Sequence, residues 1–194
     1  MAGQISLTRD QYLDSIRQLI AAANALAERY DLNQLTWQPE AGERWNILEC
    51  LDHIVVSSDL YLDSMERAAS DARAGGAADV FRAGGAPSTW FTRTMEPPPA
   101  KKVPAPGGFR PRPTLNPEGI LPQYRKTMDR VVRLVASTSG RDLNSIRFRH
   151  PLFSPLRFTV ASGLLVIAAH GRRHLWQAEQ VAANADFPKA TSCA

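Results

Sequence analysis

Apolar residues recur three and four positions apart in four long segments of this chain, and no stretch predicts a β-strand. The segments cover residues 8–30, 46–69, 118–137 and 159–184. A repeat of this kind places one apolar stripe along a helix, and such stripes must be buried against one another. The sequence therefore predicts an all-α fold, a four-helix bundle, which forms a single domain over residues 1–194.

Two of these segments begin with a helix-capping pattern. Thr8 is followed three residues later by Gln11, and Asn46 is followed three residues later by Glu49. A Thr or Asn at the N-cap with Gln or Glu at the third helical position allows each side chain to bond the backbone N–H of the other. We therefore expect helices to start near Thr8 and Asn46.

The connection between the second and third helical segments, residues 70–117, holds nine of the fourteen prolines of the chain. A connection of this length inside a compact domain is uncommon unless it is functional or disordered. It also carries the large apolar side chains Phe81, Trp90, Phe91, Met95 and Phe109. We expect its second half to pack over the bundle and its glycine-rich first half to be mobile.

Two histidines, His170 and His174, stand one helical turn apart in the last segment. At about 100° per residue they are separated by about 40° around the helix, on its apolar side. Both imidazoles therefore point toward the core, and such a pair can bind one metal ion. The three residues between them are Gly-Arg-Arg, so the glutamate of the zinc-protease motif is missing and a protease of that type is disfavoured.

A catalytic zinc-type site needs a third protein ligand, and the chain has two further histidines, His53 and His150. His53 shares its side of the second helical segment with Asn46, Glu49, Ser57 and Leu60. These residues form a partly polar strip on a helix that should pack in the bundle. Helix bundles build metal sites from side chains on facing helices. The residues alone leave two interpretations open, which are metal ligands or histidines that are hydrogen-bonded in the core.

A longer signature surrounds these histidines. It comprises RWNILECLDHI at residues 44–54 and RHPLFSPLRFTVASGLLVIAAHGRRHLWQAEQV at residues 149–181. Its elements are Trp-Asn-x-x-Glu-x-x-x-His, His-Pro-Leu-Phe and His-x-x-x-His-Leu-x-Gln. The signature resembles that of the DinB/YfiT-like superfamily of metalloenzymes. Ser154 is a departure, since relatives often carry glycine at that place.

The resemblance implies a four-helix bundle that binds a divalent metal ion through three histidines, which are His53, His170 and His174 in this chain. It also implies an activity, because members include metal-dependent hydrolases and thiol S-transferases that use small cellular thiols. We expect a metal-dependent hydrolase, with a thiol S-transferase or a non-enzymatic metal- or ligand-binding stress-response bundle as alternatives. Members are often dimers, so a homodimer is expected as well.

The expected cofactor is a divalent metal ion, with Zn²⁺ or Ni²⁺ favoured. Imidazole suits zinc, nickel, copper and iron alike, so the residues do not select one metal. A divalent ion with open positions can activate water for hydrolysis or bind a thiol as thiolate. The same ligands therefore support both reactions. The expected partner is a small-molecule substrate, which for the transferase is a low-molecular-weight thiol.

Glu49 and Gln177 are candidate catalytic residues, and each has a simpler explanation. Glu49 lies four residues before His53 and could act as a general base, but it also occupies the third helical position behind Asn46, which favours a cap. Gln177 lies three residues after His174. It could bond to a ligand, orient a histidine, or be an ordinary amide at the edge of the core.

His150 and Cys50 are weaker candidates for ligands. His150 precedes Pro151 in the link into the last helical segment, where a histidine bonded to the backbone is the favoured interpretation. Cys50 lies three residues before His53 and could bind a soft metal, although a buried, unreactive thiol is favoured.

Charge and composition exclude some classes of protein. The formal net charge is +4 with the basic residues scattered, so nucleic-acid binding is not expected. The N-terminus has no secretory pattern, and the longest nearly apolar run, residues 160–169, is about half of what crosses a bilayer. Two cysteines are too few for a disulfide scaffold. We expect a cytoplasmic protein that does not associate with membranes.

Overall fold

The computed structural model describes residues 4–72, 76, 78–100, 104–153 and 155–190, without the side chain of residue 41. The four long helices are α1 (Arg9–Arg29), α3 (Ile47–Asp71), α5 (Pro117–Ser137) and α6 (Val160–Ala182), and the two shorter ones are α2 (Leu32–Thr36) and α4 (Gly85–Thr94). The predicted all-α fold is confirmed. Each long helix begins and ends within two residues of its predicted place.

The two predicted caps are present. The Oγ1 atom of Thr8 accepts from the backbone N–H of Gln11 at 3.1 Å, and the Oε1 atom of Gln11 accepts from the N–H of Thr8 at 2.9 Å. Asn46 and Glu49 make the same reciprocal pair at 2.7 and 2.8 Å. Such a cap stabilises a helix start by about 1 kcal/mol. The second cap fixes the first turns of α3, from which His53 projects.

The prediction that the chain has no strands is wrong, because four strands of three residues occur in the described part of the chain. β1 (Ser6–Thr8) pairs antiparallel with β2 (Val80–Arg82), and β3 (Arg147–Arg149) pairs antiparallel with β4 (Arg157–Thr159). Three residues offer too little alternation for a strand pattern to stand out from the sequence. The first pair ties the start of α1 to the connection that follows α3.

The proline-rich connection contains β2, α4 and a 3₁₀ turn at Gly107–Phe109. Its second half packs on the bundle as predicted, since Met95 and Phe109 lie against the core. Phe81 and Phe91, in its first half, pack there as well. Residues 73–75 and 77, in the half that was expected to be mobile, lie outside the described residues, as do Ser154 and Cys193. The mobility of that half stays a prediction.

Helix α6 packs closely on its neighbours through two glycines. A Cβ atom on Gly171 would lie 2.8 Å from Cδ1 of Leu19 in α1, and one on Gly163 would lie 2.5 Å from Sδ of Met65 in α3. Glycine at both places therefore lets α1 and α3 approach α6. Within the described ranges, none of the helices has the length and apolar character that crossing a membrane requires.

Candidate metal centre

Three histidines from two packed helices meet inside the bundle. His53 projects from α3, and His170 and His174 project from α6. The Nε2 atom of His170 lies 3.2 Å from Nε2 of His53 and 3.0 Å from Nε2 of His174. One ligand atom from each histidine lies within 4.8 Å of the other two. The structure thus positions the three predicted histidines to bind a metal ion.

The second ring nitrogen of two of these histidines faces a carbonyl oxygen. Nδ1 of His53 is hydrogen-bonded to the backbone carbonyl of Phe109. Nδ1 of His174 lies 3.0 Å from the side-chain oxygen Oε1 of Gln177. A carbonyl oxygen only accepts hydrogen bonds, so both Nδ1 atoms carry a proton.

The third histidine is held by a hydroxyl group. Nδ1 of His170 lies 3.2 Å from Oγ of Ser57. The hydroxyl of Ser57 donates its own proton to the backbone carbonyl of His53 at 2.6 Å, so toward His170 it accepts. Nδ1 of His170 therefore carries a proton as well.

These hydrogen bonds leave an unshared electron pair on Nε2 of each neutral imidazole. The electron pair of His170 lies 3.2 Å from that of His53 and 3.0 Å from that of His174, measured between Nε2 atoms. This arrangement is repulsive until a cation lies among them. Neighbouring nitrogens on one metal ion, with metal–nitrogen distances of about 2.0–2.1 Å, lie roughly 3.0–3.4 Å apart. The chemistry and the spacing of the donors therefore fit a divalent cation.

Burial keeps the three imidazoles neutral. His53 is 4% exposed and His174 is 6% exposed, while His170 is partly exposed. Burial lowers the pKa of His53 to about 4. Burial and the neighbouring cluster histidines lower the pKa of His170 and of His174 well below the ordinary value. At neutral pH all three are therefore neutral imidazoles, the form that binds metals.

An indole ring covers one side of the cluster. The ring centroid of Trp45 lies 4.6 Å from that of His53 and 5.8 Å from that of His174. Trp45 directly precedes the Asn46 cap, so the same local structure that starts α3 places the ring. An apolar wall lowers the local dielectric constant and strengthens electrostatic interactions beside it.

A segment of the proline-rich connection lies over His53. Phe109 supplies the carbonyl for its Nδ1 atom, and three residues later Arg112 pairs with Asp52, the neighbour of His53 in the chain. Asp52 is 0% exposed. Sequence reasoning missed both contacts. For the pair with Arg112, the available signal was Asp52 itself, a carboxylate among the apolar residues of a helix that the periodicity predicted to be buried.

The two candidate catalytic residues have structural roles. The carboxylate of Glu49 closes the Asn46 cap and accepts from Nε2 of Gln38 at 3.1 Å, so it would have to leave the cap to act as a base. Gln177 orients His174, which is one of the roles expected from the sequence. Among the described residues, the metal-binding cluster contains no carboxylate.

His150 lies in a cage of aromatic rings that includes Phe91 and Phe158. Its Nδ1 atom accepts from the backbone N–H groups of Leu152 and Phe153, at 3.1 and 3.3 Å. Its Nε2 atom lies 2.6 Å from the hydroxyl of Tyr61. This agrees with the backbone-bonded role that the sequence favoured.

The thiol of Cys50 is buried. Burial, followed by the nearby charge of Glu49, raises its pKa. A thiol that stays protonated is a poor metal ligand, so the environment supports the interpretation of a buried, unreactive side chain.

Two arginines between the histidines of α6 hold the connection in place. Nε of Arg172 lies 2.9 Å from a carboxylate oxygen of Glu96, and Nη1 of Arg173 donates to the carbonyl of Thr94 at 2.6 Å. The charge of Arg173 also contributes to the lowered pKa of all three cluster histidines. The charge of Arg173 therefore helps to keep the three imidazoles neutral.

A comparison with models of protein families matched residues 15–178 to the family described as the DinB superfamily. Comparisons with curated proteins and with solved structures gave no significant match. The matched region contains the three histidines and the four long helices that carry or surround them, apart from the first turns of α1 and the last of α6.

Proposed function

The chain belongs to the DinB superfamily, and from this membership and the three-histidine cluster we propose that it is a metal-dependent hydrolase. His53, His170 and His174 hold one divalent ion, Zn²⁺ or Ni²⁺, through their Nε2 atoms. The observation that supports this most directly is the set of three Nδ1 hydrogen bonds, which leaves an unshared electron pair on each of the three clustered Nε2 atoms.

When bound, a divalent ion supplies Lewis acidity and lowers the pKa of a water molecule in an open position toward about 7. The residues of the chain supply the conditions for this. Burial holds the imidazoles neutral, Ser57 and Gln177 fix two of the rings, and Trp45 excludes water from one side. Three neutral ligands leave the charge of the ion unreduced, which favours an anionic nucleophile in the remaining positions.

A thiol S-transferase is the second candidate, and the state of the two carboxylates in the first turns of α3 supports it. Glu49 is engaged in the cap, and Asp52 is engaged by Arg112. Hydrolysis commonly uses a general base to move protons. A thiol that loses its proton on binding needs no such carboxylate, so a low-molecular-weight thiol is the alternative substrate.

An activity screen separates these candidates. Protein reconstituted with Zn²⁺ or Ni²⁺ is assayed against amides and esters, and against electrophiles in the presence of small thiols. The hydrolase account predicts turnover of an amide or ester that is lost in His170→Ala and retained in His150→Asn, with unchanged helicity in both variants. Turnover that requires a thiol supports the transferase instead. Absence of turnover in every class, with a large fall in melting temperature on chelation, would indicate a metal-stabilised bundle without enzymatic activity.

A further inference from the structure

The ring of His53 is held by a backbone carbonyl group, whereas the rings of His170 and His174 are held by side chains. The groups that fix His170 and His174 are the side chains of Ser57 and Gln177, which project from helices of the bundle. The carbonyl that fixes His53 belongs to Phe109, 56 residues away in the proline-rich connection. One of the three prospective ligands therefore depends on how that connection is seated.

We name residues 104–113 the strap. Its regular structure is one 3₁₀ turn, in which the N–H of Phe109 donates to the carbonyl of Pro106 at 2.8 Å. Prolines occupy positions 104, 106, 111 and 113, and they restrict the backbone in the unfolded state. The strap is therefore stiff for its length. The hydrogen bonds between its own residues shape the turn but do not attach it to α3.

The tie to α3 is the pair formed by Arg112 and Asp52. Asp52 accepts from the backbone N–H of Arg112 at 2.7 Å and from its Nε at 2.8 Å, and Nη2 also contacts the carboxylate. The carboxylate is fully buried, whereas the side chain of Arg112 is 47% exposed. A buried carboxylate that loses its partner is strongly destabilising, so the pair holds the strap in one position.

The pair also sets the alignment of the strap. Asp52 precedes His53 by one residue, and Arg112 follows Phe109 by three residues. Fixing Arg112 on Asp52 therefore brings the Phe109 carbonyl to Nδ1 of His53. Without that acceptor the imidazole is free to rotate and to place its proton on Nε2, the nitrogen that faces the cluster.

We infer that Arg112 is a positioning residue of the metal site, which holds the strap on Asp52 so that the Phe109 carbonyl orients His53 as a ligand. The inference rests on the proposed metal site. The strap then determines how tightly the ion is held and how fast it leaves, because its displacement removes one ligand and leaves the pair on α6. Loss of a group that orients a ligand weakens metal affinity about 10- to 100-fold.

The test compares Arg112→Gln with Arg112→Lys and with a matched control, Arg130→Gln. Arg130 on α5 also bonds carboxylates of α3, those of Asp59, Asp63 and Glu66, but lies outside the strap. The affinity for Zn²⁺ is measured by competition with a chromophoric chelator. We expect Arg112→Gln to lose about 10- to 100-fold in affinity and to release Zn²⁺ faster. Arg112→Lys keeps the charge, so we expect its affinity for Zn²⁺ to lie between those of Arg112→Gln and the parent protein. We expect Arg130→Gln to bind Zn²⁺ as tightly as the parent protein.

A second measurement on metal-free protein isolates the orientation of the ring. Long-range ¹H–¹⁵N NMR of the histidine side chains reports which nitrogen carries the proton. We expect His53 to be protonated on Nδ1 in the parent protein and in Arg130→Gln, and to lose that preference in Arg112→Gln. If Arg112→Gln does not fold, Asp52→Asn, which keeps the size of the side chain, takes its place in both measurements.

Equal Zn²⁺ affinity in Arg112→Gln and in the parent protein would overturn the inference, as would an equal loss in Arg130→Gln. An unchanged His53 tautomer in the variant would also overturn it. Failure of the parent protein to bind Zn²⁺ or Ni²⁺ would instead refute the proposed function, and the NMR measurement would still report on the link between the strap and His53.

Discussion

Ser57 joins His170 to the opposite helix, because its hydroxyl lies 3.2 Å from Nδ1 of His170 while donating to the carbonyl of His53 at 2.6 Å. One side chain on α3 thus bonds both the backbone of one prospective ligand and the ring of another. The two helices that supply the histidines are therefore coupled at the site itself, in addition to their apolar packing.

We predict that Ser57→Ala weakens Zn²⁺ binding about 10- to 100-fold, because the substitution removes the acceptor that keeps the His170 proton on Nδ1. Chelator competition measures the affinity. Ser58→Ala is the matched control, since Ser58 is the next residue of the same helix and is also buried. Equal affinities for Ser57→Ala and Ser58→Ala would show that the hydroxyl does not orient the ligand.

We predict opposite effects for two substitutions of Gln177. Leucine removes the acceptor of the His174 proton and should weaken Zn²⁺ binding by about tenfold or more. Glutamate supplies a charged acceptor, which makes the imidazole a more basic ligand, and should strengthen binding. Isothermal titration with Zn²⁺ measures the affinity of both variants. A Gln177→Leu variant that binds Zn²⁺ as tightly as Gln177→Glu would contradict the prediction.

The helices and the histidine cluster could be predicted because their signals are local or short in range. Periodicity located the four long helices, and the Thr8 and Asn46 caps located two of their starts. The spacing of His170 and His174 fixed their common face, and His53 was the one remaining histidine in a helix. Three-residue strands such as β3 carry too few positions for a comparable signal.

The contacts that orient the cluster could not be predicted in the same way. Every residue has a backbone carbonyl, so nothing in the sequence marks that of Phe109 as the acceptor for His53. Asp52 and Arg112 are 60 positions apart, and any arginine of the connection could have paired with the buried carboxylate. Such contacts depend on the path of a long loop, which periodicity does not specify.

We predict that Gly171→Ala destabilises the protein by about 1–3 kcal/mol, because the added methyl group would overlap a buried Leu19 side chain. Urea denaturation of the metal-free protein measures the change. Gly119→Ala in α5 is the control, since its Cβ would meet only the side chain of Asn116, at 3.1 Å. We expect that variant to be unchanged or up to about 1 kcal/mol more stable. Similar losses in both variants would contradict the close approach of α1 to α6.

We predict that the free energy of unfolding of the metal-free protein falls as the pH drops from about 6.5 to about 4. Burial lowers the pKa of His150 from its ordinary value of 6.5 to about 4. Between these values the unfolded chain binds a proton that the native protein does not bind, so acid favours unfolding by up to about 3 kcal/mol for this residue. The contribution of neutral His150 to the free energy of unfolding is fully present above pH 6.5. It is completely lost below the pKa of His150 in the native protein.

His150→Asn tests the contribution of that residue. The amide oxygen of asparagine can accept from the backbone N–H of Leu152 as Nδ1 does, but it does not titrate. We expect a lower stability at neutral pH, because the contact with Tyr61 is lost, and a shallower pH dependence between pH 6.5 and 4. Urea denaturation at several pH values measures both, and identical pH dependence in the two proteins would show that His150 is not held neutral by the fold.

The central claim is that Nε2 atoms of His53, His170 and His174 hold one divalent ion. An anomalous difference map, recorded at the absorption edge of the metal on crystals of untagged protein, tests it most directly. We predict one peak per chain at about 2.0–2.2 Å from all three Nε2 atoms, and loss of most of that peak in His53→Ala crystals with the helices unchanged. A peak away from the cluster, or a peak of full height in the His53→Ala variant, would contradict the claim.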